Sequence, residues 1–357
     1  MKILYLYRYG ILGGVCTQLF HRFRHMSNID GIEIHCGFRS DHGVKSLLEE
    51  FATLHFGLNK ETTEEFLKEN KFDIIFIIDT EEYIEAVRNV NHESLILVEV
   101  HTSIERNLEY LSRIEPGDVD GFVTVSNYMV GRIKHHIQDN MADVPISIFT
   151  NVLDSVLFEN VPIKVEGPPI IGWVGKIDDH KDWKAFMEIS RMVNEVRPDT
   201  EFWIIGGQTC PEYTAQEVFD LAEEKGILSR FRWIDRIENT KMSSLYSIIS
   251  QRNGLSLVTS HCESFGMSVL ESLLSGCPVV STNVGALPEI TNQDQYFDLY
   301  ELGDYQSALN KVVEVLDSSD SVNNKLVSIR QDLVEMYDSS TRSKDYWNMI
   351  MEMKKNG

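Results

Sequence analysis

The sequence predicts an α/β protein of two doubly wound domains, and three observations lead there. The chain has 357 residues, beyond the roughly 250–300 at which a single hydrophobic core stops growing. Short unbroken apolar runs recur, such as Ile74-Ile-Phe-Ile-Ile78 and Leu95-Ile-Leu-Val98, as in parallel strands covered on both faces. Stretches of helical period lie between these runs, and such alternation implies open parallel sheets flanked by helices.

Taken in order, residues 2–7 predict a strand that runs into Arg8-Tyr-Gly-Ile-Leu-Gly13-Gly14 and then a helix over about 17–26. The connection is glycine-rich without being a GxGxxG, so no dinucleotide cofactor is signalled. Further strands are expected at 33–36, 73–78, 95–100, 121–125 and 146–149, with helical stretches near 43–53, 61–70, 81–90, 104–113 and 127–138. His101 stands just past the strand at 95–100, and Ser126-Asn127 provides a helix cap. The 160–169 segment holds three prolines and little periodicity, as a linker would. A second domain opens at Pro169-Ile-Ile-Gly-Trp-Val-Gly175-Lys176, followed by a loop bearing Lys181 and Asp182 and a helix over about 183–196. Strands at 201–205, 231–235 and 254–260 follow, the first ending in Gly206-Gly207. After Glu289 the chain reads as helical near 304–317, 321–338 and 341–355.

Composition narrows the function. The chain is 43% hydrophobic, enough to fill real cores. Its net charge of −22 argues against nucleic-acid binding, which needs a basic footprint, and against docking on a membrane. The short basic cluster Arg132, Lys134, His135 and His136 reads as a solvated face. Five cysteines (Cys16, Cys36, Cys210, Cys262, Cys277) show no CxxC or metal-ligand spacing, as expected of reduced thiols in a cytoplasmic protein. The start of the chain lacks a signal-peptide pattern, and no run approaches the roughly 20 apolar residues of a membrane span.

The most informative stretch is 261–289. A helix starting near Ser264 or Phe265 would put Met267, Val269, Leu270, Leu273 and Leu274 on one side. Ser264, Ser268, Glu271, Ser272 and Ser275 would form a polar face. Gly276 and Pro278 stop it. Glu263 precedes the helix and Glu271 lies about two turns inside it. Between them is a helix N-terminus, which favours an anion. Carboxylate, anion site and second carboxylate match the order sugar, diphosphate, ribose of a nucleotide-sugar. On spacing alone, a solvated helix with two exposed glutamates fits as well. Lys176 and Lys181 lie on the first strand–helix connection of their domain, where phosphates bind in doubly wound folds. Read alone, they are ordinary surface lysines.

Glu263 and Glu271, with seven residues between them, followed by Ser275-Gly-Cys-Pro-Val-Val-Ser-Thr282 and Gly285-Ala-Leu-Pro-Glu289, resemble the glutamate-pair motif of retaining glycosyltransferases. The resemblance is to the GT-B enzymes of family four. It implies two Rossmann-like domains facing across a cleft: an acceptor-binding domain over 1–160, a nucleotide-sugar-binding domain over 161–340, and a closing helix over 341–357 around Tyr346-Trp347. It implies catalytic roles for Glu263, His101, Lys176 and Lys181. It further implies donor-binding roles for Gly13, Gly14, Gly206, Ser264, Phe265, Gly266 and Glu271, besides both lysines. The family usually has arginine where Lys176 stands and glycine where Asp182 stands; Asp182 could cap a helix instead. Asn151 and Asp154 stand where the family's inter-domain stretch has them. The implied reaction transfers a sugar from a UDP-, GDP- or ADP-sugar to an unidentified acceptor, with no obligatory metal and no other cofactor. A nucleotide-sugar epimerase and a catalytically silent glycan-binding or partner subunit are the alternatives that the same fold allows.

Overall fold

A computed structural model describes residues 1–90, 93–207, 213–290 and 296–356; Cys210 lies outside them. The chain divides into two compact units, Met1–Asp154 with Tyr337–Gly357, and Ser155–Met336. The sequence reading sets these divisions at 160/161 and 340/341.

The first unit contains strands β1 (Lys2–Tyr7), β2 (Tyr9–Ile11), β3 (Glu33–Phe38), β4 (Ser40–His42), β5 (Thr53–Phe56), β6 (Ile74–Ile78), β7 (Leu95–Val100), β8 (Gly121–Thr124) and β9 (Ile146–Ile148). Seven of them form one sheet in the order β5-β3-β1-β6-β7-β8-β9, and every pairing in it is parallel. The run Ile74–Ile78 is buried at every position, as a central strand covered on both sides must be. β2 and β4 form a separate two-stranded ladder. The helical stretch expected at 104–113 is instead two short 3-10 turns, Glu105–Asn107 and Glu109–Arg113. The basic cluster is partly paired: Arg132 and His136 both bridge to Glu105.

The second unit has β10 (Ile170–Val174), β11 (Glu201–Ile205), β12 (Phe231–Ile234), β13 (Leu255–Val258), β14 (Val279–Thr282) and β15 (Asp298–Tyr300), in the order β12-β11-β10-β13-β14-β15. All pairings are parallel here too. Its core gathers Ile171, Phe202, Ile204, Leu255 and Leu257 from the strands around Trp173, Trp183 and Phe186. Both units are therefore Rossmann-like, doubly wound α/β sheets.

Each order contains one reversal, between β1 and β6 in the first unit and between β10 and β13 in the second. Strand order reverses there because one crossover runs each way, leaving a crevice at the carboxyl ends of the two strands. The loop after β10 carries Lys176 and Lys181, and the loop after β13 carries Glu263. Topology alone brings them to one place.

The last helix, Ser339–Asn356, belongs to the first unit. Its Tyr346 is fully buried and packs on Phe149, with ring centroids 4.4 Å apart. The stretch into the second unit is pinned within the first. Val152 N–H donates to Gln18 Oε1 at 3.0 Å, and Asp154 N–H to His21 Nδ1 at 3.2 Å. Asp154 also takes an ion pair from Arg24 Nε at 2.7 Å.

Candidate active site

In the second unit, a set of backbone and side-chain bonds holds the two loops at the strand reversal against each other. Trp173 Nε1 donates to Thr259 Oγ1 at 2.9 Å, and that hydroxyl lies 2.8 Å from the carbonyl oxygens of both Lys181 and Asp182. His261 N–H donates to His180 O at 2.9 Å. Lys181 N–H donates to Asp178 Oδ1 at 2.8 Å, closing the turn that presents the lysine.

Asp182 adopts the left-handed conformation, φ 48°, ψ 57°, and accepts from Ala185 N–H as cap of the helix Trp183–Val196. A position that needs positive φ suits glycine, and aspartate is among the few others that tolerate it. The cap bond compensates for the departure from glycine. Its other oxygen contacts His261 Nε2 at 2.9 Å.

On this platform Lys181 Nζ donates to Glu263 Oε1 at 2.6 Å, and Ser260 Oγ donates to the same oxygen at 2.6 Å. Glu263 is only 8% exposed. Burial opposes its charge, but the Lys181 ammonium outweighs it and holds the carboxyl below its usual range. Glu263 is therefore an ionised, acceptor-only group at neutral pH. Its backbone is fixed as well. Ala286 N–H donates to Glu263 O at 2.9 Å. Gly285 sits at φ +59°, so close that an added Cβ would collide with the Glu263 carbonyl oxygen.

The helix itself is Met267–Leu274, capped by Gly266 at φ 108°. It starts two or three residues later than the periodicity predicts, because the left-handed cap takes Gly266 and leaves Ser264 and Phe265 in the loop. The expected polar face is buried at Glu271, Ser272 and Ser275, whereas Ser264 and Ser268 stay partly exposed. Glu271 is 6% exposed, and Ser272 and Ser275 are fully buried. Period tells which residues share a face, but a helix packed against β-strands and a second helix leaves only its first turn partly open to solvent. Here Ser272 Oγ donates to Cys277 O at 3.1 Å. Glu271 Oε2 accepts from Tyr246 OH at 3.3 Å. Burial pushes its carboxyl up to about 7, against which hydrogen bonds from Tyr246 and Asn239 act only in part.

Lys176 follows β10 and is exposed; among the described residues it has no ion pair. Gly206, at φ 139°, closes β11 so near Gly175 that a Cβ there would strike the Gly175 carbonyl. Its own carbonyl accepts from Trp233 Nε1 at 2.8 Å. Lys181, Glu263 and Ser260 are thus brought into direct contact, and Glu271 lies along the adjoining helix.

In the first unit, Gly13 caps and Gly14 opens the helix Gly14–Met26. A Cβ at Gly14 would meet nothing within 4 Å, so packing within the protein does not require glycine there. His101 follows β7, and its Nε2 lies 2.9 Å from Glu99 Oε1. Its backbone N–H and that of Thr102 donate to Asp79, at 3.1 and 3.0 Å. Asp79, after β6, is a non-glycine residue at φ 42°, and burial raises its carboxyl to about 6 despite the opposing His101. Asp79, Glu99, Ser260 and Thr259 escape sequence reasoning. The available signal for the first two was their place at or beside the ends of buried strands.

Among the described residues no group of three or more His, Cys, Asp or Glu is arranged to hold a metal ion. No helix there is long and apolar enough to cross a membrane.

With this geometry in view, residues 158–328 match the family model for glycosyl transferases group 1. The match falls inside the second unit. Among curated relatives, the 2-deoxystreptamine N-acetyl-D-glucosaminyltransferase of Niallia circulans is 24% identical over 170 residues, 48% of this chain and 41% of the relative. The D-inositol 3-phosphate glycosyltransferase of Corynebacterium diphtheriae is 29% identical over 121 residues, 33% of this chain and 27% of the relative. The chain thus spans less than half the length of these two relatives. Solved structures align along nearly all of it. Anabaena Alr3699/HepE in complex with UDP-glucose gives a TM-score of 0.84 at 15% identity, covering 99% of this chain and 100% of the other. Sucrose-phosphate synthase from Thermosynechococcus elongatus gives 0.80 at 13% identity, covering 100% of each. Together with the two all-parallel sheets, these likenesses define the fold as GT-B.

Proposed function

We propose that the chain is a retaining glycosyltransferase of family-four type, transferring a hexosyl group from a nucleoside-diphosphate sugar to an acceptor hydroxyl. The observation that supports this most is the Lys181–Glu263 contact, held by Ser260 and Gly285 at the strand reversal of the unit that matches the glycosyltransferase model. The solved complex of a likeness of this fold with UDP-glucose supports the donor class.

The reaction needs an oxocarbenium-like centre to develop while the diphosphate departs. In this reading Glu263, ionised and nearly dry, orients sugar hydroxyls and offsets that positive charge; low local polarity strengthens the effect. Lys181 and Lys176, with the backbone around Ser264, Phe265 and Gly266 at the helix N-terminus, receive the leaving diphosphate. As single ammonium groups they lack the planar fork of an arginine. Glu271 accepts from ribose hydroxyls, and Gly206 leaves room for the nucleoside. Gly13, Gly14 and His101 serve the sugar and acceptor from the first unit. The leaving phosphate assists front-face attack, so configuration is kept, and no metal is obligatory.

The test is transfer or hydrolysis of UDP-, GDP- and ADP-sugars by the purified chain, with the anomeric proton of the product followed by NMR. Retained configuration supports the reading. Inverted product, or epimerised donor without nucleotide release, refutes it.

A further inference from the structure

A buried relay reaches His101 from the interior of the first unit. Arg22 and Glu99 are both completely buried and pair through two bonds, Nη1 to Oε2 at 3.0 Å and Nη2 to Oε1 at 2.8 Å. Glu99 Oε1 is also the atom 2.9 Å from His101 Nε2. From the C-terminal helix, Tyr346 OH accepts from Arg22 Nη1 at 2.9 Å, and its ring lies 4.2 Å beneath the guanidinium. Tyr5 OH lies 3.1 Å from Tyr346 OH. Among the described residues, Arg22 Nε has no hydrogen-bond partner.

Such an arrangement is an inefficient way to build a core. Two charges lose their water and one donor stays unsatisfied, whereas apolar side chains of similar volume often stabilise a fold as well or better. What the pair does supply is a carboxylate whose proton state is fixed. Burial works against its charge, but Arg22, then His101, hold Glu99 down at about 2. An ionised carboxylate only accepts, so the ring nitrogen facing it must be the one that carries hydrogen. We propose that Glu99, set by Arg22, is a positioning residue that fixes the His101 imidazole with its proton on Nε2 and leaves Nδ1 as the working face. Asp79, which holds the His101 backbone, is the other charged group beside it. This inference rests on the proposed role of His101 in sugar transfer, but its tautomer readout does not.

The test uses the full chain labelled with 15N-histidine, with His101 assigned by its loss in His101→Gln. At pH 8 the nitrogen shifts are expected to show one tautomer, protonated at Nε2. In Arg22→Met/Glu99→Leu, which removes both charges together, the tautomers are expected to mix, and kcat to fall about 10–100-fold with KM for donor little changed, as for other histidines that lose an orienting partner. Glu99→Asp keeps a charge for Arg22 but shortens the reach, and should also mix the tautomers if the double variant does not fold. Tyr346→Phe, which loosens the same core without touching Glu99, should leave the tautomer intact. An Nδ1-protonated ring in the wild type, an unchanged ring in both Glu99 variants, or equal mixing in Tyr346→Phe overturns the relay. An intact tautomer in a chain that turns over no nucleotide-sugar would instead remove the transferase reading alone.

Discussion

Glu263 and Glu271 belong to one short segment and are almost equally buried, yet their carboxyls are shifted in opposite directions. Glu263 faces Lys181 and Ser260, which hold its carboxyl below the usual range. Glu271 faces Tyr246 and Asn239, neither of them a cation, and its carboxyl rises to about 7. Sequence spacing made the two look like equivalent members of a pair. The difference comes from what the tertiary structure sets opposite each, a lysine from 82 positions earlier in one case and a phenol in the other. A permanent charge suits a group that must offset a developing cation. A carboxyl poised near neutrality suits one that gains its charge when ligand hydroxyls arrive to solvate it.

Four changes sharpen or break that contrast. The largest effect is expected from Gly285→Ala, because a methyl would strike the Glu263 backbone at a φ that also disfavours alanine. Destabilisation of about 4 kcal/mol or more is the expected size for such strain, read as a fall in the urea midpoint together with loss of nucleotide-sugar turnover. Lys181→Met comes next, since it strands a nearly buried carboxylate. The cost is expected to approach about 3 kcal/mol, and acidification should recover part of it as Glu263 protonates. In the wild type the lowered Glu263 contributes stability above the ordinary carboxylate range, and that contribution is lost as pH falls through its folded value.

Glu271 has the reverse sign. A folded carboxyl raised from 4.5 to about 7 binds more protons than the unfolded chain between those values, so stability falls as pH climbs through that window. The integrated effect is on the order of 3 kcal/mol, at about 1.4 kcal/mol per pH unit. Glu271→Gln should flatten the slope in urea unfolding between pH 5 and 8 and raise stability at pH 8, while weakening nucleotide binding. Wild-type affinity for a nucleoside diphosphate should in turn weaken as pH drops below about 7. The smallest effect is expected from EDTA, which should leave the turnover rate within about twofold, since single lysines and a helix end are assigned the role that a metal would fill.

The sequence displayed the fold well because most strands of the two main sheets are central. The runs at 74–78 and 95–100 are covered on both sides and read without ambiguity as the observed β6 and β7. What escaped was peripheral or long-range. β5 is an edge strand of mixed polarity, Thr53-Leu-His-Phe56, half of it exposed. It gave no continuous run, and the preceding helical pattern extended over its start. The 104–113 segment had helical period but closes only 3-10 turns, because its apolar residues can reach the core without a full helix. Lys181 and Glu263 could be paired from sequence only through resemblance, whereas the strand order supplies the physical reason. Arg22 and Glu99 lie 77 residues apart within ordinary-looking elements, and no local pattern distinguishes a buried arginine on a helix from an exposed one.

The most direct test of the central assignment is 31P NMR of the purified chain with each activated sugar, comparing wild type with Glu263→Ala. Release of a nucleoside diphosphate by the wild type, slowed 100-fold or more in the variant, is the expected result. Equal rates in the two proteins, or no release from any donor by the wild type, would contradict it.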